Sequence, residues 1–268
     1  MSRISKTFDS LQQKGEKALI PFVTAGYPDL ATTEKLIFEI EKNGADLLEL
    51  GVPFSDPMAD GPVIQYSSER ALQKGTNLKM ILKLVKKVRL KTDIPIILMG
   101  YFNPFFSYGL KQFAEDAKRV GVDGVLVVDL PPEEADEMIA HAGKVGLDLI
   151  FLLAPTSDEK RIDLIVKNAT GFIYYVSVTG VTGVRSTLDR DIRKQVKRIK
   201  KITSIPIGVG FGISTPQQAK TISKWADAVV VGSALIKKIK ESKSPKAMVS
   251  GVGKLTKSLK QAITQNVQ

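Results

Sequence analysis

The chain has 268 residues, no cysteine, a single histidine and a formal net charge of +11 from 39 Lys and Arg against 28 Asp and Glu. That length is ample for one large domain, while the cysteine count excludes a disulfide framework, a thiolate nucleophile and a cysteine metal site, and one histidine excludes a histidine cluster. The amino-terminal segment lacks an apolar core of secretory length and no stretch approaches about 18 uninterrupted apolar residues, so neither a signal nor a membrane span is expected and a cytoplasmic location is.

Apolar, β-rich runs recur at 18–24, 46–51, 94–99, 124–128, 148–153, 172–176, 206–210 and 228–231. They are continuous rather than alternating, as strands buried on both faces of a parallel sheet should be. Between them lie amphipathic segments that predict helices over 32–43, 63–74 with 78–91, 110–120, 133–145, 158–168, 191–202 and 215–225, with 234–241 after the last strand. Glycine follows several of these, as in Asn43-Gly44, Val120-Gly121 and Val145-Gly146, and gives each helix its stop. Strand then helix, eight times over, predicts a single-domain (β/α)8 TIM barrel across residues 1–268. A helix over 2–14 is expected to cap the barrel's amino-terminal mouth, and one over 249–265 to lie outside. An open doubly wound sheet would show a glycine fingerprint after its first strand, and Thr24-Ala25-Gly26-Tyr27 offers none. The basic residues Lys79, Lys83, Lys86 and Lys87, then Arg193, Lys194, Lys197, Arg198, Lys200 and Lys201, fall on helical outer faces with no aromatics interleaved for base stacking. Nucleic acid is therefore not the expected partner, and attraction of an anionic substrate is a more modest use of the same field.

In such a barrel the chemistry lies in the loops after the strands' carboxyl ends. The second strand carries Glu49 inside an apolar run, where a carboxylate needs a partner or a purpose, and its long loop adds Asp56 and Asp60, stiffened by Pro53 and Pro57. Asp56 reads equally well as a turn residue. The aromatic loop 100–106 is suited to wall an apolar, flat substrate, with Phe105 and Phe106 reading instead as packing on the barrel rim, and Asp129 reads as either a supporting acid or a helix cap. The stretch 177–185 has the glycine and threonine content of a lid. Glycine-rich turns after the seventh and eighth strands, Gly210-Phe211-Gly212 and Gly232-Ser233, each precede a helix and predict an anion site suited to phosphate. His141 and Trp225 read as surface and packing residues. With no metal cluster and no lysine at a strand end, acid–base chemistry by Glu49 and Asp60 is the economical mechanism. A rival enzyme reading, an isomerase or cyclase on a related sugar phosphate, wants that missing lysine; a purely regulatory barrel has no need of both acids.

Five stretches, PFVTAGYPD at 21–29, LELGVPFSDPMADGPVIQ at 48–65, ILMGYFNP at 97–104, GVTG at 180–183 and GFGI at 210–213, closely resemble the tryptophan synthase alpha chain family, in order and over nearly the whole length. The resemblance implies a lyase that cleaves indole-3-glycerol phosphate to indole and glyceraldehyde 3-phosphate. It implies that Glu49 protonates the indole ring at C3 and that Asp60 accepts a hydrogen bond from the indole nitrogen. Backbone at Gly183, Gly212, Gly232 and Ser233 would hold phosphate, Phe22, Ile64, Tyr174 and Phe211 would shape the pocket, and Thr182 on the lid would meet Asp60. It further implies no cofactor in this chain, and a beta-chain partner in an α2β2 complex that holds pyridoxal phosphate and receives indole through a tunnel, with Pro53 and Asp56 near the contact.

Overall fold

The computed structural model describes residues 1–176, 185–210 and 212–264. In chain order the elements are α1 (Arg3–Gln13), β1 (Ala18–Thr24), α2 (Leu30–Lys42), β2 (Leu48–Gly51), α3 (Pro62–Gln73), α4 (Leu78–Val88), β3 (Ile96–Gly100), α5 (Phe102–Tyr108), α6 (Leu110–Val120) and β4 (Gly124–Val127). A 3-10 turn at Pro132–Glu134 leads into α7 (Asp136–Val145), β5 (Asp148–Leu153), α8 (Glu159–Asn168), β6 (Ile173–Val176), α9 (Arg185–Lys200), β7 (Ile207–Gly210), α10 (Pro216–Ser223), β8 (Ala228–Val231), α11 (Ser233–Glu241) and α12 (Pro245–Thr264). All eight strands are parallel and pair in sequence order, with β8 closing on β1 through pairs such as Pro21 with Val231. The architecture is the expected (β/α)8 barrel.

Strand alternation divides the core in two. Leu19, Val23, Leu48, Leu50, Ile96, Leu98 and Val125 point outward and pack beneath the helices. Ile20, Leu47, Ile97, Leu126, Ile150, Phe172 and Val230 point inward, where Ile4, Phe8 and Leu11 of α1 join them. The first helix thus plugs the amino-terminal mouth with an apolar face, its Phe8 ring 5.9 Å from that of Phe172. Behind it Arg89 and Arg3 both reach the buried Asp123, whose Oδ2 also accepts the Ile96 N–H.

Several segments differ from the sequence reading, among them the helix expected over 191–202, which runs Arg185–Lys200. The aromatic stretch read as a rim loop forms α5: Pro104 falls in its first turn, where no intrahelical N–H is needed, and Asp129 Oδ1 accepts the Phe102 N–H at 2.7 Å. The helix expected over 133–145 is broken at Ala135 into the 3-10 turn and α7. The last helix starts at Pro245 rather than at 249, since Ser244 Oγ accepts the Ala247 N–H and a proline suits the first helical position.

Candidate active site

Glu49 enters the barrel by phase alone. Its neighbours Leu48 and Leu50 face the helices, so the residue between them faces inward, above Leu47 and below Gly51. The side chain is wholly buried, neither carboxylate oxygen has a hydrogen-bond partner in the described structure, and burial raises the acid to about 8. Such a carboxyl keeps its proton at neutral pH because no nearby cation or donor stabilises the anion.

Asp60 faces it from the loop between β2 and α3. That loop is fixed piece by piece: the Phe54 N–H donates to Ser68 Oγ at 2.8 Å, Ser68 Oγ donates back to the Phe54 carbonyl at 3.0 Å, the Asp60 N–H donates to the Pro57 carbonyl, and Gln65 Nε2 donates to the Asp60 carbonyl. Pro62 then opens α3 at its first turn. Burial raises Asp60 to about 6, against the opposing hydrogen bond from Tyr101. The two acids therefore sit on opposite sides of neutrality, one protonated and one ionised at pH 7. Tyr174, buried in the same cavity, has its phenol pushed up by burial and then by the charges of Glu49 and Asp60.

The cavity between them holds about 220 Å³ and is lined by Phe22, Ile64, Met99, Tyr174 and Val230 along its walls. Two of these rings fit because inward strand positions beside them are glycine: a Cβ on Gly51 would stand 2.5 Å from the Phe22 ring, and one on Gly210 would strike the Tyr174 hydroxyl. At the far end lie Gly212, Ile213, Ser214, Gly232, Ser233 and Ala234. Here two helix amino termini differ. In α10 a capping box uses the exposed groups, with Thr215 and Gln218 bonding each other's backbone and Gln218 Oε1 also accepting the Ser214 N–H at 2.9 Å. In α11 the cap residue is Gly232 and no side chain caps the helix. Its first amides, unmatched within any α-helix, border the cavity, and free donors at a helix start are the kind that suit an anion.

The structure thus brings Glu49, Asp60, Phe22, Ile64, Tyr174, Gly212, Gly232 and Ser233 to one cavity. Thr182, Gly183 and Phe211 lie outside the described residues. Asp56 is exposed beside an 86 % exposed Met58, whereas Pro53 is buried under the loop. Of the rim aromatics, Phe105 is buried against Phe113 and Phe106 is exposed. His141 is half-buried in α7, where it pairs with Glu137. Sequence reasoning missed Met99, Val230 and the inward hydroxyl of Tyr101. Alternation carried the signal for all three, because Ile97, Met99 and Tyr101 share the inward phase, as do Ala228 and Val230. Among the described residues no His, Asp and Glu cluster is placed to hold a metal ion, and no described helix is long and apolar enough to cross a membrane.

Comparison with known proteins bears on the same residues. The family model described as tryptophan synthase alpha chain matches residues 8–264. The tryptophan synthase alpha chain of Geotalea uraniireducens is 61% identical over 241 residues, 90% of each chain, and that of Geobacter sp. strain M21 is 56% identical over 263 residues, 98% of each. The crystal structure of tryptophan synthase subunit alpha from Legionella pneumophila str. Paris superposes with a TM-score of 0.92 at 41% identity over 100% of both chains. With a family model over most of its length, relatives at such identity and the same barrel in a solved structure, the chain belongs to the tryptophan synthase alpha chain family.

Proposed function

We propose that this cavity performs the alpha-chain half of the tryptophan synthase reaction, retro-aldol cleavage of indole-3-glycerol phosphate to indole and glyceraldehyde 3-phosphate. The observation that carries the mechanism is the ordering of the two acids, Glu49 at about 8 and Asp60 at about 6. When environments push paired acids apart, the higher is the proton donor and the lower the fixed charge. Glu49 gives its proton to C3 of the indole ring, which places positive charge on the ring nitrogen. Asp60 accepts the ring N–H and stabilises that charge as it forms. Carbon–carbon cleavage then returns the bonding pair to the ring, while the Glu49 carboxylate takes the hydroxyl proton of the departing triose. The acid is thereby restored, and no cofactor enters the balance.

The phosphate is held by the first amides of α11 at Gly232 and Ser233, with the backbone of Gly212 opposite. Phe22, Ile64 and Tyr174 enclose the flat ring. A beta chain, the pyridoxal phosphate-bearing partner in an α2β2 assembly, docks over the rim that carries Asp56 and the exposed Met58 and Phe106. Buried Pro53 supports that rim from beneath. The deciding experiment is indole release from indole-3-glycerol phosphate by the purified chain, with and without an added beta chain. Slow release that quickens with the partner is expected. No release in either case, from chain shown to be folded, refutes the assignment.

A further inference from the structure

Tyr101 has no role in the reaction scheme above, yet it is held in the site from every side. It is 3 % exposed, and its ring packs on Phe54 with centroids 5.4 Å apart and planes at 31°. Phe54 is itself clamped through both backbone polar groups by Ser68. On the main chain, Tyr101 caps α5, and the next N–H, that of Phe102, is fixed on Asp129. The hydroxyl oxygen accepts the Ala59 N–H at 3.0 Å. An accepted bond from Ala59 turns the phenolic proton away from that amide, and Asp60, the next residue along the loop, lines the same small cavity as Tyr101.

Resting on the role given above to Asp60, we propose that Tyr101 is a positioning residue whose hydroxyl bridges Ala59 and Asp60, occupying one carboxylate oxygen and leaving the other directed at the indole nitrogen. A carboxylate has acceptor capacity for both bonds. The bridge also fixes when Asp60 is charged. An O–H donor favours the anion that burial disfavours, so the hydroxyl keeps Asp60 ionised at a pH where burial alone would protonate it. Among the described residues the titratable groups facing Asp60 are Tyr101, Tyr174 and Glu49, with Asp129 behind Tyr101. No described lysine, arginine or histidine lines the cavity.

The test is Tyr101→Phe, which keeps the ring on Phe54 and removes only the bridge. The Asp60 carboxyl is titrated by carbon-13 NMR in the ligand-free chain, and kcat and KM are measured against pH. The Asp60 midpoint is expected to rise from about 6 and the acid limb of kcat/KM to rise with it. At pH 6, kcat should fall about tenfold, the weight of one hydrogen bond to a charged group, with KM within about twofold. Fluorotyrosine at position 101, a stronger donor of nearly the same shape, should move the midpoint the other way. A midpoint that stays put in both variants, or a loss equal at every pH, overturns the bridge. Asp60→Asn is the control: retained turnover in that variant overturns the role given to Asp60 instead, and the two failures separate because the carboxyl titration reads the bridge without substrate.

Discussion

A single carboxyl shows how phase and burial together set chemistry. Glu49 lies in the one inward position of β2 where a Leu would complete the core, and the strand tolerates it by keeping it neutral. The linkage follows from the sign of the shift. Unfolded, the acid ionises near 4.5; folded, it holds its proton to about 8, so the native chain binds the extra proton in between. Its cost to stability is absent below pH 4.5 and grows as pH rises towards 8, reaching on the order of 3 kcal/mol at pH 7. Glu49→Gln should therefore abolish indole release while raising the denaturant midpoint at pH 8 more than at pH 5. A midpoint that rises equally at both values would show that the proton is not held as described. The same two acids shape the rate profile. kcat/KM should climb as Asp60 ionises near pH 6 and decline as Glu49 loses its proton near pH 8, and a profile flat from pH 5 to 9 would contradict their roles. Glu49 was legible in the sequence because a charge inside an apolar strand is conspicuous. Tyr101 was legible only as one ring of an aromatic wall, because an aromatic among aromatics, in 100–106, has nothing in its composition to set its hydroxyl apart; only the inward count from Ile97 does.

Elements differ in what their ends are used for, and the two helices at the glycine-rich end of the cavity show it. α10 closes its amino terminus with Thr215 and Gln218, while α11 begins at an uncapped glycine. If the first is structural and the second functional, substitutions should separate stability from binding. Thr215→Ala should cost about 1 kcal/mol in unfolding free energy and leave KM for indole-3-glycerol phosphate within about twofold. Gly232→Asp, which sets a negative charge against the α11 amides, should raise KM about tenfold or more with a small change in melting temperature. Unchanged KM in the aspartate variant would remove the phosphate from α11. The sequence showed both glycine-rich turns as equivalent, since glycine before a helix looks alike in either case. What distinguishes them is whether a side chain three residues on folds back to the cap, and Thr215 with Gln218 is a readable signature that Gly232-Ser233-Ala234 lacks. The strands and most helices were legible for a simpler reason, that burial on both faces removes polar residues from a strand. α5 was not among the expected helices, although Pro104, in its first turn, breaks nothing.

Across the whole molecule the two ends of the barrel divide the work. The amino end is closed by α1, whose Ile4, Phe8 and Leu11 fill the mouth below Phe172, and is tied by charges: Arg3 and Arg89 on Asp123, and Lys260 of α12 on Asp46 at 2.9 Å. The carboxyl end holds the acids, the uncapped α11 amides and the exposed rim. Glu49 lies between them, its oxygens turned to the cavity and Leu47 at its back towards the plug. A barrel so arranged can lose packing at one end without disturbing chemistry at the other, provided the strands between remain paired. Phe8→Ala removes a buried ring and should lower unfolding free energy by about 3 kcal/mol or more. Under conditions where that variant remains folded, kcat and KM should stay within about twofold of the parent, because the cavity side chains rest on strand register rather than on α1. A fall in kcat that tracks the fall in stability would show instead that the plug sets the depth at which Glu49 is held, and that the barrel's two ends are one mechanical unit.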